Sequence, residues 1–188
     1  MHPRSVDPLF SVRALAGSLL LVMGLLALSA CSPTFNWREL RPAGTPLQAL
    51  MPCKPDTAER TVPLAGVPTQ MHMHSCEAGG QTFALAWVDV AEEARVPEVL
   101  AGWRAGSLAA IRLDPATAAD ANTTWPVAVP GAQQLQGLQA TGQDPQGKAT
   151  QMRGAYFSKG TQVFQAAVYG PSLSDEVLAT FFEGLRLP

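Results

Sequence analysis

Apolar residues alternate with polar ones through four segments in the first half of the chain: Leu47–Met51, Glu59–Leu64, Thr69–Glu77 and Thr82–Asp89. That period of two predicts strands, separated by Pro52, Pro55, Gly66 and Pro68, with Gly79-Gly80 as a hairpin turn. In the last segment Phe83, Leu85, Trp87 and Asp89 fall on one face, and Ala84, Ala86, Val88 and Val90 on the other. Both faces are apolar, so this strand is expected in the middle of an antiparallel sheet. From Ala91 to Leu113 the step changes. Val96, Val99, Leu100, Trp103, Ser107, Ala110 and Ile111 fall three or four residues apart, the stripe of a helix that buries one side. Glu92 and Glu93 suit its positive end, and Asp114-Pro115 stops it. Gly102 and Gly106 each cost about 1 kcal/mol relative to Ala, which predicts close approach of the helix to the sheet or fraying.

A second alternating block comprises Pro126–Val129, Gln133–Gln143, Thr150–Ser158 and Gln162–Tyr169, with turns at Asp144-Pro145-Gln146-Gly147 and Lys159-Gly160. Ser174 is placed to cap a final helix. Asp175 and Glu176 occupy its first turn, and Val177, Leu178, Phe181, Phe182 and Leu185 form its apolar side. Strands, helix, strands, helix is an α+β order: a mostly antiparallel sheet of about six to eight strands, with a long central helix and a C-terminal helix packed on it. The closing strand QVFQAAVYG, followed by a short helix ending FFEGLRL, resembles the end of small PsbP/Mog1-like proteins of unknown function. That resemblance implies an α/β/α sandwich and no particular activity.

Composition narrows the function classes. The chain has 188 residues, 13 basic and 15 acidic, with a net charge of −2 and no basic run. Nothing in it is built to bind a phosphate backbone, so no nucleic-acid partner is expected. Sixteen Gly and sixteen Pro stay below the level at which a disordered reading takes over, and no repeat suggests a solenoid.

The first thirty residues read differently. Arg4 and Arg13 precede Ala14–Ala30, which carries no charge, and the chain then meets Cys31 and the helix-breaking Ser32-Pro33. This is the order of a secretory signal. As a retained membrane helix the stretch would be about 25 Å long against a hydrocarbon core of about 30 Å. The junction Leu28-Ser29-Ala30-Cys31 resembles the lipobox of bacterial lipoproteins at all four positions. The resemblance implies cleavage before Cys31, a diacylglyceride on its thiol and further acylation of the freed amine, so that two or three acyl chains hold the protein on a membrane. Ser32 stands where an Asp would favour the inner membrane. The location implied is the outer membrane, facing the periplasm. Residues 1–30 are then a signal peptide, 31–45 a lipidated tether in which Phe35 and Trp37 pack on the domain edge, and 46–188 a single α+β domain.

Cys53 and Cys76 remain. An even pair in an oxidising compartment, without the C-x-x-C spacing of a redox or metal motif, predicts a structural disulfide. On a strand His72, His74 and Cys76 share one face and Met71 and Met73 the other. Two imidazoles two residues apart are candidate ligands for copper or zinc, but they do not complete a site. The simpler expectation puts the methionines in the core and the histidines in water. Asp89, Glu92 and Glu93 read as helix-capping acids rather than a catalytic pair. Neither G-x-S-x-G nor H-E-x-x-H occurs, and Gly79-Gly80 lacks the Lys of a phosphate loop. The expectation is a non-catalytic binding or envelope-assembly module without a cofactor, anchored through Cys31. A partner or ligand is expected in a groove between the long helix and the sheet, near Trp103 and Trp87. The alternative is a periplasmic copper- or zinc-binding protein using His72 and His74.

Overall fold

The computed structural model describes residues 33–64, 66–116 and 124–188. Among them the alternating segments become β1 (Arg38–Leu40), β2 (Ala49–Met51), β3 (Asp56–Leu64), β4 (Val67–Ala78) and β5 (Gln81–Asp89). A single 3-10 turn, Glu93–Arg95, leads into α1 (Val96–Ala110). The chain continues with β6 (Gln133–Gln143), β7 (Ala149–Lys159), β8 (Gln162–Gly170) and α2 (Asp175–Glu183). Phe35–Pro188 form one compact unit. The signal-like stretch 1–30, Cys31 and Ser32 lie outside the described residues.

Six strands make one antiparallel sheet in the order β3-β4-β5-β8-β7-β6, and β1 pairs with β2 in a separate two-stranded sheet. As its two apolar faces require, β5 is interior. Phe83, Leu85 and Trp87 join one core with Phe157, Phe164 and Val168 from the neighbouring strands, covered by Leu178, Phe181 and Phe182 of α2 and Met51 of β2. Ala86 and Val88 join the other core, covered by Val96, Val99, Leu100, Trp103 and Leu108 of α1. The fold is therefore α+β in three layers. α1 lies on one face of the main sheet, and α2 with the small sheet lies on the other.

Local chemistry sets the turns. Gly79 and Gly80 take φ of 59° and 71°, the two positive values that a two-residue type I′ hairpin needs. The β6–β7 turn is tied by Asp144, whose Oδ1 accepts from the amides of Gln146 (2.9 Å) and Lys148 (2.8 Å). Ser174 occupies the cap position of α2 with extended backbone, but its side chain makes no capping hydrogen bond.

Three expectations are corrected. Pro126–Val129 is not a ladder strand; only the bridge Thr124 to Leu138 and the amide of Trp125 on the Gly137 carbonyl (3.3 Å) join this stretch to β6. Pro126 and Pro130 have no N–H to donate, which denies it a continuous ladder. The folded unit begins at Phe35 instead of residue 46. Arg38–Leu40 forms β1, and Phe35 stacks on Trp37 (6.1 Å) while both meet Phe83 edge-on (6.5 and 6.3 Å), so the two aromatics pack on the domain. Gly102 and Gly106 face open space and mark no close approach. The close approach is at Gly142 of β6, where a Cβ would strike the Ile111 carbonyl oxygen; the Gln143 amide donates to that same carbonyl (2.9 Å).

Candidate functional site

That contact pins the end of α1 over β6 at one end of the sheet, while the strands beside it carry very small side chains. Ala84 and Ala86 of β5 lie opposite Ala167 and Gln165 of β8, and Ala167 pairs in turn with Gly154 of β7. α1 packs on the larger Val88, Tyr156 and Val163, and only its C-terminal end, Ala110 and Ile111, reaches the short side chains of Ala84 and Ala86. The result is a groove of about 760 Å³, within the range of about 300–1,000 Å³ typical of ligand sites. Ala84 and Ala86 form its floor, Met71 and Met73 of β4 one wall, and Ile111 with the 144–148 turn the other.

Its lining is graded along the strands. Glu77, Thr82, Lys148 and Thr150 stand at the end bounded by the hairpin turns, and Met71, Met73 and Ala86 lie farther in. Gln165 borders the interior, but its amide donates to Ser107 Oγ (3.1 Å), which donates to the Trp103 carbonyl (3.0 Å), so its polar end is turned to α1. Beside them Tyr156 is fully buried, and its hydroxyl makes no hydrogen bond of good geometry: Ser107 is close, but its Oγ is engaged with Gln165 and the Trp103 carbonyl. Gly154 makes room for it; a Cβ there would lie 2.9 Å from Tyr156 Oη. Burial first, then the Tyr169 phenol, pushes the Tyr156 hydroxyl well above its ordinary pKa, against weaker opposing effects of Ser107 and Arg104. Burial raises Tyr169 as well. Both phenols are therefore neutral donors at physiological pH.

The groove was expected between the long helix and the sheet near Trp103 and Trp87; it lies instead at the C-terminal end of α1, which borders it only through Ala110 and Ile111, and neither tryptophan lines it. They sit on opposite faces of the sheet: Trp103 packs under α1 with Val88, and Trp87 packs in the α2-side core with Phe164, its partner across the β5–β8 ladder. Alternation alone put Trp87 and Ala86 on opposite faces. Which face the helix covers was not readable.

His72, His74 and Cys76 do share one face of β4, the α2 side, and the methionines share the groove side. The histidines are not simply in water. Both imidazoles lie nearly parallel to the indole of Trp87, with centroids at 5.1 Å and planes within 18°. His72 Nδ1 is 3.1 Å from Glu59 Oε1 across the β3–β4 ladder, and Ala43 and Thr57 help to line a shallow cleft of about 410 Å³ around them. His74 Nδ1 is buried and unpartnered, and burial, with a lesser push from His72, lowers its pKa below 6.5. Among the described residues no group of three or more His, Cys, Asp or Glu is placed to hold a metal ion.

Cys76 is committed elsewhere. It is bonded to Cys53, 23 positions earlier in sequence, with Cα atoms 6.1 Å apart. The bridge fastens the chain leaving β2 to the same sheet end as the groove. Asp89 Oδ1 accepts from the Ala91 amide (2.9 Å), a turn-holding role, and no side-chain cap from Glu92 reaches the 3-10 turn. Cys31 lies outside the described residues. Among those residues no helix is long and apolar enough to cross a membrane. Comparison with known proteins found no matching family model, no matching curated protein and no matching solved structure.

Proposed function

We propose that this chain is a lipoprotein of the bacterial cell envelope, anchored through Cys31 to the outer membrane on its periplasmic side. It acts there as a non-catalytic binding module whose ligand lies in the groove over the main sheet at the C-terminal end of α1. The observation that carries the reading is the groove itself: an apolar interior over Ala84 and Ala86, a polar rim, and walls fixed by the Gly142–Ile111 contact and the Asp144 turn. The lipobox and the uncharged stretch before it support the anchor; the disulfide supports an oxidising compartment. The metal-carrier alternative has less behind it, because His72 is engaged with Glu59 and the Cys76 sulfur with Cys53.

The test uses the purified lipoprotein in lipid nanodiscs with a small uncharged naphthyl diazirine, photolysed and mapped by peptide mass spectrometry. The expected result is saturable labelling of the β4 and β5 peptides that carry Met71, Met73 and Ala86, lost in Ala84→Leu. Labelling spread evenly over the surface, or unchanged in Ala84→Leu, would overturn it. Intact mass of the same preparation reads the anchor: a chain that begins at Met1, or a Cys31→Ser variant still processed and held on the membrane, removes that part.

A further inference from the structure

We infer that the groove takes one acyl chain of a phospholipid drawn from the bilayer on which the protein is anchored, entering tail-first with the headgroup at the rim. This rests on the binding reading above and names the ligand class for that site. Three observations carry it.

The first is where the chain leaves the domain. The ring of Phe35 lies against Gly79 in the β4–β5 turn, so closely that a Cβ at Gly79 would be 2.6 Å from its Cζ. The next residue, Gly80, lines the groove. Cys31 precedes Phe35 by four positions, which span at most about 14 Å of extended chain. Whether the stretch before Phe35 ends in a lipidated Cys31 or continues as the uncharged Ala14–Ala30, it leads to a membrane. The groove therefore opens at the end of the sheet by which the chain enters the domain, on the face opposite to Phe35.

The second is the grading. Rim residues at this end include Glu77, Asp144 and Lys148, so charges of both signs are present, which suits a zwitterionic headgroup better than an anion alone. Farther in, Met71, Met73 and Ala86 offer apolar contact, and methionine adapts to a flexible partner. The third is length. From Thr82 to Ala86 the floor runs about 13 Å at strand spacing, close to the roughly 15 Å that one leaflet's chains occupy in a core of about 30 Å.

The experiment places the lipoprotein in vesicles of phosphatidylethanolamine and phosphatidylglycerol containing a phosphatidylethanolamine with a diazirine near the end of one acyl chain. Photolysis is expected to label the Met71–Met73 peptide, and a diazirine moved next to the acyl carbonyl is expected to label Thr82 and Thr150 instead. Ala84→Leu, and separately Thr82→Trp at the rim, should each reduce that labelling at least about tenfold, with the circular dichroism spectrum unchanged. In a second arm the diazirine fatty acid is built into the protein's own anchor and the vesicles are unlabelled; no groove adduct is expected. An adduct there makes the anchor the occupant and overturns the proposal. Labelling by the naphthyl probe but not by the phospholipid overturns the acyl inference and leaves the binding reading standing. Labelling by neither removes both.

Discussion

The two faces of the main sheet are built from the same strands but filled differently. On the α2 side Phe83, Phe157, Phe164, Phe181 and Phe182 interlock, with Phe83 and Phe181 edge-on at 5.4 Å and Phe157 stacked on Phe164 at 5.3 Å. On the α1 side Val88, Met152, Tyr156 and Val163 pack under the helix, and the opening lies beside them over Ala84 and Ala86, where α1 contributes only its last residue, Ala110. Large rings close a face; small side chains beyond the end of a helix leave it open. The difference separates the half of the molecule that holds the fold together from the half that has room for a ligand.

Truncating each side tests this division most strongly. Phe83→Ala, on the closed face, is expected to cost about 3–5 kcal/mol, read as a fall in the urea midpoint at unchanged slope. Met73→Ala, on the partly buried groove wall, is expected to cost less, about 1–2 kcal/mol, because the side chain borders open groove and its loss leaves no enclosed cavity. Equal losses would mean that the groove is packed in solution and the division is wrong.

The disulfide belongs to the closed half. In the loop-entropy account, closing 23 residues stabilises by about 3 kcal/mol, so the Cys53→Ala/Cys76→Ala double variant should lose about that much. If labelling of the groove survives in the folded double variant, the two halves are separable as described.

Much of this was legible in the alternating segments, and the places where it was not share one cause. Alternation in Phe83–Val90 implied an interior strand apolar on both faces, and the structure has it. It could not imply that Gly154 and Ala167 would come alongside Ala84, because strand register is set by partners far off in the chain. The groove likewise forms where Met71, Met73 and the 144–148 turn come to flank Ala84 and Ala86, so neither its place nor the separation of Trp87 from Trp103 could be read locally. Proline gave the opposite difficulty. Pro126–Val129 carries a strand's apolar pattern and lacks the donors, and Phe35–Leu40 lacks a clear pattern but gains its place from the aromatic contacts with Phe83.

A smaller effect concerns the buried Tyr156 beside the groove. Its hydroxyl has been taken out of water without a partner, which penalises the fold, so Tyr156→Phe should raise stability by about 1 kcal/mol. The ring remains and still fills the space over Gly154. Gly154→Ala is the complementary change: its methyl would lie 2.9 Å from Tyr156 Oη and should destabilise the wild type more than it does Tyr156→Phe, since the smaller ring gives way. A double-mutant cycle by urea denaturation reads the coupling. Additive losses would show that Gly154 is there for another reason.

The smallest expected effect lies on the closed face, at its histidine rim. His74 has a folded pKa below 6.5 because burial, and then the charge of His72, disfavour its protonated form. The unfolded chain therefore takes up a proton at a higher pH than the folded one does. The stability contribution is fully present above about pH 6.5 and is lost as pH falls from there through the lower folded value. Unfolding midpoints measured between pH 8 and pH 5 should drop toward the acid end in the wild type and drop less in His74→Phe, whose ring keeps the stacking on Trp87 without the ionisable nitrogen. Since this rim is on the face away from the groove, phospholipid labelling in the same pH range should stay level while the midpoint falls. Labelling that follows the midpoint in folded protein would show that the two faces communicate, and the separation drawn between them would have to be given up.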